Sequence, residues 1–340
     1  MSTPLLASLA ASALSLALVR LLCSARLATL VLDIPNDRSL HVRPVPRTGG
    51  IGLMLSVALT LLVAGGGSAA LVAPALALAA LFLLDDVRGL AVPVRFAAQF
   101  MAAGAFLDWS GPYPLLLLPL LATGIVWSIN LYNFMDGSNG LAGGMTVIGF
   151  GTLAVAASQG GAPDLAMLAA IVAGAAAGFL VWNFDPARIF LGDAGSIPLG
   201  FLAAGIGISG WQRGTWPFWL PLLAFSPFVV DATVTVIRRG LAREKVWQAH
   251  RTHYYQRLIR SGWSHRRLAL AAYAVMLAAG ASALSHRTAD GPAVAMHLAL
   301  WTAAFALIAA LVDRRWAITE GAAVEPTANV PAGTPRETAQ

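Results

Sequence analysis

Charge is scarce in this sequence. Asp, Glu, Lys and Arg make up 11% of its 340 residues, against roughly 25% in an ordinary globular chain. With 58% of the residues hydrophobic and a mean hydropathy of +0.72, the charges are too few to coat a water-soluble surface. A soluble fold is excluded, and the chain belongs in a bilayer. Cysteine is nearly absent: Cys23 stands alone, which excludes an internal disulfide and any cysteine-based metal spacing and leaves a packing role. Lysine occurs once, as Lys245, so the net charge of +6 is made almost wholly by arginine. No basic residue precedes the first apolar stretch, and further apolar stretches follow it, which argues against a cleaved signal peptide.

A spanning helix takes about 20 mainly apolar residues. Reading between charges gives residues 2–19, then an uncharged run over 48–84 that must turn back at Gly65-Gly66-Gly67-Ser68 and so counts twice. After it come 92–108, 113–130, 139–158, 165–182, 196–210, 216–237, 268–285 and 292–312. This predicts an all-α polytopic membrane protein of about 11 transmembrane helices. With the N-terminus periplasmic, the outer loops hold only Arg213 and Arg287. Arg26, Arg38, Arg43, Arg47, Arg88, Arg188 and the run from Arg238 to Arg267 then fall inside, as the positive-inside rule requires. The C-terminus is cytoplasmic on this count. Residues 1–316 are expected to form one transmembrane domain, and 317–340, rich in Ala, Pro, Thr and Glu, a disordered cytoplasmic tail.

The same parity sends four polar constellations to the cytoplasmic rim. Asp85 and Asp86 close the third span, and two adjacent carboxylates repel unless a cation or a raised pKa relieves them; Arg88 is the only local counter-charge. Asn130, Asn133 and Asp136 recur every three residues and so line one helix face, followed by glycines at 137, 140, 143 and 144 that let backbone or ligand come close. Such a stripe suits a phosphorylated ligand and its metal, whereas small-residue helix packing would explain the glycines but not the amides. Asp193, between Gly192 and Gly195 just before the eighth span, is either an N-terminal cap or a hard oxygen ligand for Mg2+ beside a phosphate-binding helix start.

The fourth constellation is His250-x-x-His253, near Arg257 in a loop whose other basic residues also suit anionic lipid. Asp231 is an ionisable group inside the ninth span, placed to pair with a basic residue at the rim. The first inner loop, Asp33 to Gly50, has prolines that forbid a continuous helix and gathers Arg38, Arg43 and Arg47 beside His41.

These motifs, Asp-x-Pro-x-x-Arg-x-x-His-x-x-Pro-x-Pro-Arg-x-Gly-Gly, Asp-Asp, Asn-x-x-Asn-x-x-Asp-Gly, Asn-x-x-Pro-x-x-x-Phe-x-Gly-Asp-x-Gly-Ser and the histidine loop, span residues 33–267. Together they resemble the polyprenyl-phosphate N-acetylhexosamine-1-phosphate transferases of glycosyltransferase family 4. The resemblance implies an enzyme of the bacterial inner membrane, with its active site in the cytoplasmic loops of residues 1–316. It would move HexNAc-1-phosphate from a UDP-N-acetylhexosamine to undecaprenyl phosphate.

It further implies that Asp193 binds Mg2+, with Mn2+ as a substitute, and that Asp136 belongs to the nucleotide and metal wall. Asn183 and Phe190 would lie at the uridine and Asp85 and Asp86 would serve the lipid phosphate. His250 and His253, with Arg43 and Arg47, would hold the sugar phosphates. Asp85, Asp86, Asp136, His250 and His253 are then the catalytic set, and substrate contacts extend to Asn130, Asn133, Asn139 and Arg257. The partners implied are the bilayer, the two substrates and a second copy in a homodimer, with no nucleic acid.

Two departures from the family pattern stand at Gly89 and Asn139, where acidic residues are common, and the histidine motif ends in Tyr254. That shortened motif resembles the O-antigen-initiating, deoxyhexosamine-using branch more than the peptidoglycan branch, leaving GlcNAc, QuiNAc and FucNAc donors open.

The chemistry asks that an anionic lipid phosphate attack an anionic pyrophosphate, so a metal and cationic residues must screen the repulsion. Single displacement suffices, with a covalent aspartyl phosphate on Asp85 or Asp86 as the alternative. A transporter of a phosphorylated or nucleotide-linked solute is the rival from another class. It calls for ionisable groups near the bilayer midplane and an internal repeat, whereas Asp231 is the only mid-span acid, it sits toward the cytoplasmic end, and no internal repeat is visible. A CDP-alcohol phosphotransferase would need several aspartates along one helix with Ala-Arg between, which Asp136-Gly137 lacks.

Overall fold

The computed structural model describes residues 3–24, 31–33, 44–65, 67–246 and 250–324; Arg26, Arg38, His41 and Arg43 fall outside them. Helices form at every apolar run. They are α1 (Thr3–Ser24), α2 (Gly49–Ala64), α3 (Ala69–Arg88), α4 (Val92–Ser110), α5 (Leu118–Phe134), α6 (Leu141–Gln159), α7 (Pro163–Asn183), α8 (Asp193–Gln212), α9 (Trp219–Ala224), α10 (Ser226–Leu241), α11 (Tyr254–Arg260), α12 (His265–Ser285) and α13 (Gly291–Val324).

Among the described residues seven helices, α1, α3, α6, α7, α8, α12 and α13, are long and apolar enough to cross a membrane. The sequence count of eleven is therefore not reached by that measure. α2 is apolar but has only 16 residues, α5 has 17, and α4 carries Arg95, Gln99 and Asp108. The ninth run is two helices, parted at Phe225 because Pro227 at the start of α10 has no N–H to continue the ladder. The proline-rich first loop adds the one departure from all-helix structure among the described residues: β1 (Leu32–Asp33) pairs antiparallel with β2 (Val45–Pro46). At the other end α13 continues past residue 317, where the tail was expected, through the helix-compatible Ala-Ile-Thr-Glu-Gly-Ala-Ala-Val.

Two close helix crossings set the frame. Gly174 and Gly178 of α7 let the backbone of α1 pass so near that a Cβ at either would strike Ser8 O or Ser12 O; Ser56 of α2 fixes the same helix through Ala11 O (2.9 Å). Without a hydrophobic force between helices in lipid, such small-residue contacts carry the association. Gly200 of α8 similarly packs so close to α5 that an added Cβ would lie 2.7 Å from Ile129 Cα, with Ser128 Oγ donating to Gly200 O (2.8 Å). That crossing carries the stripe of α5 to the first turn of α8.

Candidate active site

The centre forms where four segments meet. Residues 46–50 run alongside 190–191: Phe190 N donates to Pro46 O (2.7 Å), Gly49 N to Phe190 O (2.9 Å) and Gly50 N to Leu191 O (2.8 Å). This pairing delivers Arg47 to the start of α8, where its Nη2 lies 3.4 Å from both Asp86 Oδ1 and Asp193 Oδ1. Asp86 Oδ2 also accepts the Ala194 N–H (3.2 Å), so the end of α3 caps α8 from outside its own chain segment. Asn133 completes the group, its Nδ2 donating to Asp193 Oδ1 (2.9 Å) and Ser196 Oγ (3.0 Å).

Asp136 lies behind them, partly buried. Burial first, then repulsion from Asp193 and Asp86, pushes its carboxyl well above the ordinary range, against the opposing pull of Arg47 and the Gly192 N–H. Arg47 loses from burial, but Asp86, Asp193, Asp33 and Asp136 outweigh that and hold its guanidinium more basic than usual. One arginine thus sits among several carboxyl groups, and their mutual repulsion favours proton uptake where Arg47 does not relieve it.

The loop that holds Asp136 is pinned from several elements. Ser138 Oγ bonds His265 Nδ1 (2.8 Å), Tyr273 Oη donates to Gly140 O (2.6 Å) and Gly140 N donates to Asn183 Oδ1 (3.0 Å). Tyr255 Oη donates to Phe134 O (3.0 Å). Tyr255 links this loop to the histidine segment, where the His253 ring packs 5.9 Å from Phe134 and 4.8 Å from His250. The buried Asp231, which accepts from His253 Nδ1 (3.2 Å) and from the backbone N–H groups of Tyr254 (3.0 Å) and Tyr255 (2.9 Å), orients that ring. Its pairing with a rim base is therefore found, and the base is His253.

His250 is partly buried, and burial, then His253 and Arg239, push its imidazole down to about 4 from the ordinary 6.5. It is neutral at pH 7, so it can bond a phosphate oxygen but brings no charge. The sign follows from the depressed value. Stability from this group is full above 6.5 and is lost as pH falls through about 4. We expect His250→Gln to flatten the fall of the thermal midpoint between those pH values; an unchanged slope would show that His250 is not the group responsible.

Several expected site residues are engaged elsewhere. Asp85 is spent on the turn between α3 and α4: Oδ1 accepts the Leu90 N–H (2.5 Å) and Oδ2 lies 2.9 Å from Arg95 Nε. That Nε–H is directed at Leu90 O (3.1 Å), so the Arg95 contact is Coulombic rather than a hydrogen bond. Asn130 donates to Gln99 Oε1 (2.7 Å) and Val126 O (2.7 Å), tying α5 to α4. Asn183 is buried with both ends used, on Gly140 N and Ile189 O, and Asn139 bonds Asp185 (2.8 Å). Arg257 pairs with Asp313 (2.6 Å). The backbone of Phe190 carries the pairing with residues 46–49, and Arg43 lies outside the described residues.

Gln99, Ser196, Tyr255 and Asp313 were not anticipated. The lone Arg95 early in an apolar helix was the one sequence signal that Asp85 had a structural partner.

The centre fits a hard divalent cation such as Mg2+ or Mn2+ in one mode. Among the described residues no three His, Cys, Asp or Glu side chains form a ready-made cage. Mg2+, however, is commonly held by one or two carboxylates with waters and substrate phosphates filling the rest. Asp193, with Asp136 close behind, offers that oxygen set, and a divalent cation there would relieve the repulsion that raises the Asp136 carboxyl.

The sequence profile described as glycosyl transferase family 4 matches residues 68–210, which cover α3 through most of α8. A protein of Bacillus subtilis (strain 168) named probable undecaprenyl-phosphate N-acetylglucosaminyl 1-phosphate transferase is 31% identical over 264 residues, covering 72% of this chain and 74% of its own. The decaprenyl-phosphate N-acetylglucosaminephosphotransferase of Mycolicibacterium smegmatis is 29% identical over 70% of this chain and 71% of its own. A phospho-N-acetylmuramoyl-pentapeptide-transferase of Geobacillus thermodenitrificans is 29% identical over 68% and 80%.

Proposed function

The chain belongs to the polyprenyl-phosphate N-acetylhexosamine-1-phosphate transferases of glycosyl transferase family 4, and on that premise we propose that it transfers HexNAc-1-phosphate from a UDP-sugar to undecaprenyl phosphate, releasing UMP. The observation that carries the reading is the convergence of Asp86, Asp136, Asp193 and Asn133 around Arg47 at one end of a helical bundle. N-acetylglucosamine in the names of two relatives makes UDP-GlcNAc the donor to test first. Initiation of O-antigen or another surface polysaccharide rests on the histidine motif alone.

A divalent ion at Asp193 would screen the pyrophosphate and the leaving UMP. The protein's own groups do the remaining work. Arg47 presents positive charge to whichever phosphate approaches the first turn of α8, and Asn133 fixes the Asp193 carboxylate. His253, oriented by Asp231, and the neutral His250 bond the sugar-side phosphate of the donor. Asp86 takes the last proton of the lipid phosphate when that phosphate is protonated; Asp85, spent on its turn, does not. Single displacement accounts for the transfer without an aspartyl phosphate, because the lipid phosphate oxygen is itself the nucleophile. An apolar cavity of about 410 Å³ lined by α5, α8, α9 and α10 offers room for part of a prenyl chain, and its lining includes Tyr132, the residue before Asn133 in the sequence.

The bond that breaks distinguishes this reaction from sugar transfer at carbon. With donor labelled in its sugar-side phosphate, label should enter the lipid fraction while UMP appears in water. Labelled UDP with unlabelled lipid would refute the assignment. Membership of a bacterial inner membrane with this centre facing the cytoplasm gives a second expectation. In a Cys23→Ala background, Gly161→Cys and Asp290→Cys should react with an impermeant thiol reagent from the periplasm and Arg188→Cys should not. Labelling of position 188 from outside would overturn the orientation.

A further inference from the structure

The last helix reaches back to the histidine segment. Asp313 of α13 takes Arg257 Nη1 on Oδ1 (2.6 Å) and Arg238 Nη1 on Oδ2 (2.5 Å), so one carboxylate joins two arginines from α11 and the end of α10. The Tyr254 ring lies between those arginines, with the guanidinium carbons 5.8 and 5.4 Å from its centre, and its hydroxyl accepts from Arg238 Nη1 (2.6 Å). Arg257 Nε also donates to Thr252 O (2.9 Å), the residue before His253. Two further contacts come from the same turn of α13: Arg315 donates to Ser261 O (2.7 Å) and Trp316 stacks under Arg260 (4.4 Å). α11 is thus held at its N-terminus by Asp231 and along its flank by residues 313–316.

We propose that Asp313 is a positioning residue for the donor, acting through Arg238 and Arg257 on the segment Thr252–Tyr255; the proposal rests on the reading of His250 and His253 as donor-facing. An isolated half-exposed ion pair contributes little. Here, however, one carboxylate separates two cations that would otherwise repel each other across the same tyrosine, and Arg257 is only 16% exposed. Removing the charge leaves Arg257 and Arg238 without their shared partner and frees the backbone at Thr252 to move. Among the described residues Asp86, Asp193 and Arg47 have no bond to α13, so the substitution leaves the lipid-phosphate side in place.

The test uses the full chain in detergent and separates structure from chemistry. In the first arm, trypsin digestion follows cleavage at Arg243, Lys245 and Arg251. Asp313→Asn should speed it by at least about tenfold, one factor for each ~1.4 kcal/mol of lost restraint, and Asp313→Glu should restore the wild-type rate. In the second arm, Asp313→Asn should raise the donor KM by about tenfold while the KM for undecaprenyl phosphate holds, and adding Arg257→Gln should bring little further loss because both act through one contact. Unchanged proteolysis overturns the clamp. Faster proteolysis with both KM values unchanged, or both raised equally alongside a lower thermal midpoint, overturns the positioning role. If wild-type protein releases no UMP from any UDP-HexNAc, the proposed function fails, while the proteolysis arm still decides whether Asp313 holds α11.

Discussion

Asp193→Asn protein should fold, extract and melt like the wild type, yet turn over at least ~10³-fold more slowly, the several kcal/mol that a metal or strong electrostatic contact supplies in a transition state. The expectation follows from where the side chain stands. It opens α8, is only 18% exposed, and accepts from Asn133 Nδ2 and lies near Arg47 Nη2. An asparagine keeps the shape and can still turn its carbonyl to Asn133, so the α5–α8 crossing at Gly200 and Ser128 loses nothing. What goes is the negative charge, the single property a divalent cation needs here. A cap role makes the opposite forecast: asparagine caps as well as aspartate, and activity would stay near normal. Steady-state UMP release at saturating Mg2+, together with thermal midpoints, decides between them. Near-normal turnover would remove Asp193 from the chemistry.

Much of this arrangement is legible in the sequence, because hydrophobic runs and charge parity act over whole segments. Every apolar run formed helix, and motifs separated by pairs of helices did meet at one end. What is not legible lies at finer scale. Asp85 and Asp86 are neighbours, and successive residues on a helix point roughly 100° apart. One reaches Arg47 and the other the Leu90 turn, a choice set by the rotation of α3, which no local pattern encodes. Asn130 and Asn133 share a face but lie nearly one turn apart, enough to give one to Gln99 and the other to Asp193. The break at Phe225 was signalled by Pro227, yet a proline in an apolar run reads equally well as a kink in one span. Asp313 carried no local signal at all, since its partners are 75 and 56 residues away.

The glycines of the first loop were also legible only as residues, and they carry the last expectation. Gly50→Ala should cost at least ~10²-fold in activity although it adds only one methyl group, because misplacing a positioned group by an ångström can cost that much. A Cβ at position 50 would lie 2.5 Å from Gly195 Cα, 2.6 Å from Leu191 O and closer still to Gly195 N. All three are backbone of the segment that starts α8, so no side chain can swing aside. Either α2 retreats or the pairing of residues 46–50 with 190–191 opens, and in both cases Arg47 leaves Asp86 and Asp193. The effect should therefore appear in kcat more than in expression. Gly104→Ala in α4 is the control: nothing lies within 4 Å of its added Cβ, and alanine in a helix interior should be neutral or stabilising by up to ~1 kcal/mol. Equal, mild effects of the two substitutions would mean that the approach of α2 to α8 does not set the geometry of the centre.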